Sequence, residues 1–76
     1  MPISQDKYLK SIGNNIKSIR LSKNLTQLEL ASLINRDQQS IQRLEKGKVN
    51  FSIYLLCEIA EALEITPMEL LNYKSK

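Results

Sequence analysis

Gln38, Gln39, Gln42 and Arg43 are the residues whose types and spacing could do chemistry, and that chemistry is hydrogen bonding rather than bond-making. They fall on one side of a helix whose other side carries Ile41 and Leu44. A Gln amide pairs with N6 and N7 of adenine, and an Arg guanidinium with O6 and N7 of guanine. Each such pair is worth about 1–3 kcal/mol of discrimination against a wrong base. Gln38 and Gln39 occupy the first turn, the end of a reading helix that enters a major groove. Arg43 could equally hold a phosphate. Catalysis lacks comparable support. There is no His, one Cys and no glycine-rich loop, so no nucleophile–base set can be assembled. The same count gives no disulfide within one chain and no zinc site, so neither catalytic residues, metal nor cofactor is expected. Cys57 reads as a small buried hydrophobe among Leu55, Leu56 and Ile59.

The readers need a frame, and residues 26–47 supply one. Thr26 followed by Glu29 is a capping box, with Leu25 and Leu30 at its staple positions. Leu30, Ala31 and Ile34 recur at one-turn spacing and give this short helix an inward face. Asn35 stands where a helix ends in a left-handed residue. Asp37 caps the next helix, and Ile41 and Leu44 point it back at the first. The corner is so short that the two helices must cross closely at Ala31, where a larger side chain would overpack. Contacts that position a duplex should flank the readers. Gln27 opens the earlier helix, where free N–H groups favour a phosphate, while Lys46, Lys48 and Asn50 follow in a loop opened by Gly47.

These residues resemble the helix-turn-helix of the Cro/CI-type (XRE-like) transcriptional regulators, and the Asp37-Gln-Gln-Ser-Ile41 run is similar to recognition helices of lambdoid phage repressors. The family pattern falls on Thr26-Gln27, Leu30-Ala31, Asn35, Ser40-Ile41 and Glu45 with Gly47, without a gap, and the likeness runs from about Ile12 to Leu71. The resemblance implies an all-α, five-helix, lambda-repressor-like DNA-binding domain in which helices 2 and 3 form the motif. It implies a partly buried ion pair between Arg20 and Glu45, with Arg20 also reaching a DNA phosphate. It further implies a homodimer on a palindromic operator. Asn35 replaces the usual turn Gly, and Phe51 stands where Pro is frequent. Leu28 and Leu33 occupy positions usually polar, which favours the alternative of a protein-interaction or antitoxin-type module on the same fold.

The rest of the chain fits one domain over residues 1–76, with 1–5 and 74–76 flexible. A chain of 76 residues buries only about 60% of its unfolded surface, so association would help it. The first helix should run over residues 6–22 with Tyr8, Ile12, Ile16 and Ile19 inward, and Tyr8 or Leu9 offers cover for Leu28 or Leu33. Gly13 costs a helix about 1 kcal/mol against Ala, which a close helix contact would explain. A fourth helix follows Ser52 and ends near Glu64, with Phe51 and Leu56 as staple and Ile53, Leu56, Ile59, Ala60 and Leu63 as core stripe. Thr66, Pro67 and Glu69 open a fifth that ends about Tyr73, with Ile65 and Leu70 as its staple. Tyr54, Met68, Leu71 and Tyr73 exceed what a small core hides and are the candidate dimer interface, although Leu71 could close the monomer core.

Charge is uneven. Up to Lys48 nine basic residues face four acidic ones, +5; from Val49 on, two face four, −2. The basic part contains the reading helix, as phosphate attraction requires. No apolar run is long enough to span a membrane and none resembles a leader. The expected setting is therefore the cytoplasm, on the nucleoid in a bacterium, with double-stranded DNA as partner and no small-molecule ligand.

Overall fold

The computed structural model describes residues 4–73, and every regular element among them is helical: α1 (Gln5–Ser22), α2 (Gln27–Leu33), α3 (Gln38–Glu45), α4 (Ile53–Ala62) and α5 (Pro67–Leu71). Side chains fix where these helices start. Thr26 Oγ1 accepts from the Glu29 amide at 3.0 Å while Glu29 Oε1 accepts from the Thr26 amide at 2.8 Å, a complete capping box. Asp37 Oδ1 accepts from the Ser40 amide at 2.8 Å, and Ser52 Oγ from that of Leu55 at 3.1 Å. At α5, Pro67 holds the first position and Glu69 Oε1 accepts from the Thr66 amide at 3.2 Å. Left-handed residues stand just beyond four helices: Asn24 after α1, Asn35 after α2, Gly47 after α3 and Glu64 after α4.

Each helix or its cap contributes to one core. Ile16, Leu30, Ile41, Ile59, Leu63 and Leu70 are fully buried, each worth about 1.5–3 kcal/mol over exposure. Helix α3 packs on both α2 and α1, whereas α4 packs on α5 and α2. The bundle closes where Asn15 Nδ2 donates to the carbonyls of Glu69 (3.0 Å) and Leu70 (2.9 Å), joining α1 to the end of α5. Gly13 is buried at the α1–α3 crossing. A Cβ there would run into the Leu44 carbonyl oxygen and stand 2.8 Å from that of Glu45.

Several expectations are corrected. Helix α1 starts one residue earlier than expected, at Gln5, with Ser4 Oγ accepting from the Lys7 amide; residues 1–3 and 74–76, part of the expected flexible ends, lie outside the described residues. Tyr8 is exposed, since the first two turns of α1 extend past the core. Leu28 and Leu33 remain uncovered at 57% and 59% exposure, so neither Tyr8 nor Leu9 shields them. The inward face of α4 is Leu55, Leu56, Ile59 and Ala60, which turns Ile53 and Cys57 to solvent. Leu71 is also exposed and does not close the core.

Candidate nucleic-acid interface

The last turn of α3 is anchored from within the protein. Arg20 Nε donates to Glu45 Oε2 at 2.6 Å and Nη2 to Oε1 at 3.1 Å, a bidentate pair; Nη1 donates to the Leu25 carbonyl at 2.6 Å. Gln27 Nε2 adds a fourth bond, to Glu45 Oε1 at 3.0 Å. Arg20 is 5% and Glu45 8% exposed, so each charge depends on the other for solvation. One carboxylate thus ties the end of α3 to α1 and to the first residue of α2. These bonds and the Ile41–Leu44 packing set the roll of α3 about its axis.

That roll determines what faces outward. Gln38, Gln39, Gln42 and Arg43 are all exposed, with Ile41, Leu44 and Glu45 on the buried side. Asp37 caps the same end, and its carboxyl is held below its ordinary range first by the Ser40 hydroxyl and then by the Ser40 amide. The proposed phosphate contacts separate into two groups. Lys46, Lys48 and Asn50 are exposed around Gly47, whose φ of 74° turns the chain away from α3. Arg20 points inward, and Gln27 is half-buried with its amide on Glu45. The residues named for a dimer contact also divide. Tyr54 lines a groove with Leu33, Glu58 and Glu61, whereas Tyr73 lies in another with Ser11, Asn14 and Asn15; Met68, at 76% exposure, lines neither.

Two interactions here escape a reading of the sequence. The Gln27–Glu45 bond joins residues 18 apart and has no local signature. Arg36, in the turn of the motif, approaches Glu58 of α4 at 3.6 Å between Nη2 and Oε1. Only the opposite charges hinted at that pairing.

Two short helices locked at a tight corner, the second bare and amide-rich on its outer side, define a helix-turn-helix DNA-binding domain. The chain belongs to the HTH_3 helix-turn-helix family, whose sequence profile matches residues 16–70. It is 36% identical over 63 residues to an uncharacterised HTH-type transcriptional regulator of Sinorhizobium fredii, an alignment spanning 83% of this chain and 82% of the relative. Among solved structures it is similar to the restriction-modification controller protein C.AhdI of Aeromonas hydrophila. The identity is 34% and the TM-score 0.79, over 82% of this chain and 94% of the controller. It is also 33% identical over 61 residues to the antitoxin PezA of Streptococcus pneumoniae, of which it spans 39%. The fold is that of the DNA-binding transcriptional regulators of this family. No helix among the described residues is long and apolar enough to cross a membrane.

Proposed function

We propose that the protein is a sequence-specific regulator, a repressor or autoregulator, that binds a palindromic operator as a homodimer with α3 in the major groove. The observation that carries this reading is the exposed face of Gln38, Gln39, Gln42 and Arg43 on a helix fixed by the buried Arg20–Glu45–Gln27 cluster. Gln38 and Gln39 read base edges at the leading turn, and Gln42 and Arg43 continue the face. Lys46, Lys48, Asn50 and Gln27 hold the sugar–phosphate backbone. Arg20 acts by orienting Glu45 and Gln27, since its own guanidinium is enclosed. Tyr54, Met68, Leu71 and Tyr73 supply the contact between copies, in the cytoplasm where the chromosome lies.

Selection of bound duplexes from a random pool tests this. The expected result is an inverted repeat with half-sites about 34 Å apart, one helical turn. In the same selection Gln39→Ala should relax preference at one position per half-site. A pool with no enriched sequence would sink the reading. It would favour a protein-interaction or antitoxin-type module, to which the uncovered Leu28 and Leu33 and the likeness to the pneumococcal antitoxin already lend support.

A further inference from the structure

Neither of the chain's two glycines has room for a side chain, and both lie where α1 meets the end of α3. Gly13 lies on the carbonyls of Leu44 and Glu45. At Gly47, where φ is 74°, a Cβ would stand 2.7 Å from Lys10 Cα and from Lys10 Cγ. The backbone of α1 at Lys10 is therefore pressed against the loop that follows the reading helix. The contact forms a groove of about 430 Å³ lined by Asp6, Leu9 and Lys10 from α1 and by Lys46, Lys48 and Asn50 from the loop. Three lysines and one aspartate line it, and none of the four forms an ion pair among the described residues. Lys10 lies on α1 outside residues 16–70, the part that the family profile matches.

We infer that Lys10 extends the DNA-backbone contact proposed for this loop: in the groove it joins Lys46 and Lys48 on a phosphate at the outer flank of each half-site. Like-charged lysines gathered with a single opposing carboxylate raise the local positive potential, and a phosphate supplies negative charge beyond the one carboxylate that this groove holds. Asn50, at its edge, adds a neutral donor. The contact carries no base information; it fixes how α3 is seated along the duplex. Glycine at 47 is what lets the α1 backbone come close enough for Lys10 to share the phosphate. The inference rests on the operator-binding reading above.

Salt titrations of operator binding test it, with the full chain and Lys10→Gln, a change that keeps the exposed side chain's first methylenes. Loss of the Lys10 share of that phosphate should make the log–log salt slope shallower, by up to about 0.9 per protomer, and weaken binding by up to about eightfold per protomer at 0.1 M salt. On a duplex trimmed to the last base pair that α3 reads, wild type and variant should converge, because the flanking phosphate is gone. An unchanged slope on the long duplex, with wild type still selecting its operator, would overturn the groove site and leave the operator reading standing. So would a difference that persists on the trimmed duplex, since it would then arise from the general field of the protein. Failure of the wild type to select any duplex would remove both readings together. An equal melting temperature for the two proteins verifies that the change acts on DNA and not on folding.

Discussion

Glu45 is the residue on which the proposed recognition and the stability of the fold meet. Its two carboxylate oxygens accept three hydrogen bonds, two from Arg20 and one from Gln27, almost out of contact with water. Truncating it leaves a guanidinium enclosed without a counter-charge, which costs about 3–5 kcal/mol. Glu45→Ala should therefore lower the melting temperature by well over 10 °C, given roughly 4–8 °C per kcal/mol in a domain this small. A variant that melts with the wild type would mean the pair is no anchor. The polar readers behave oppositely, because exposed side chains can be changed at little cost to folding. This contrast also bears on what the sequence could disclose. The outward face of Gln38, Gln39, Gln42 and Arg43 was legible because Ile41 and Leu44 mark the opposite side of the helix as the buried one. The buried pair was legible only through family likeness, since spacing alone does not bring residues 25 positions apart together. Cys57 was misread because α4 opens with five consecutive apolar residues, a run that fits more than one inward face. Packing against both α2 and α5 selects the sector centred between Leu55 and Ala60, and at about 100° per residue Cys57 falls outside it.

At the scale of elements, caps and crossings explain why these short helices hold still. Neither α2 nor α3 is long enough to persist alone, so their ends must be fixed by side chains and their faces by the core. Glu29 and Asp37 do the former as carboxylates. Glu29 is held below its ordinary 4.5 by the Thr26 amide and then the Thr26 hydroxyl, and Asp37 below its ordinary 3.8 by Ser40. A carboxylate whose folded pKa is lowered contributes its stability fully above the unfolded value and loses it as pH falls through the folded one. The corner should accordingly weaken below about pH 4. Asp37→Asn, which still caps but cannot lose its acceptor to a proton, should show a shallower fall of melting temperature with acid. If its acid slope matches that of the wild type, the ionised cap is not what acid removes. The α1–α3 crossing makes the complementary case. Gly13→Ala should gain about 1 kcal/mol of helix propensity. The new methyl nevertheless meets backbone carbonyls of Leu44 and Glu45 that cannot rotate aside, and overpacking of this kind costs about 1–3 kcal/mol. A net loss of stability is expected in thermal melts. A stabilised variant would show that α1 can lift off α3 freely. A glycine amid a helical pattern signalled this crossing; which helix it met was decided only by the folded chain.

For the whole molecule the question is how so small a surface selects one site among many. One protomer presents a single short reading helix, and its few base contacts at about 1–3 kcal/mol each fall short of what a regulator needs. A second copy doubles the readout and converts its half-site into an intramolecular partner, gaining 10²–10⁴ in avidity with no new kind of contact. The charge distribution suits the proposed division: the positive excess falls in residues 1–48, with α3, and the negative in residues 49–76, with the proposed contact between copies. Met68 stands at that end with most of its surface in water, so replacing it leaves the monomer core intact. Met68→Glu would bring two carboxylates together across a two-fold contact and strip it of apolar area. It should shift the mass in sedimentation toward the monomer and weaken operator binding by about two orders of magnitude or more, while the melting temperature of the dilute protein stays where it was. An unchanged mass would move the contact away from α5 to the α4 side, where Tyr54 lines its own groove beside Leu33. The spacing of the selected half-sites would then have to be explained from that face.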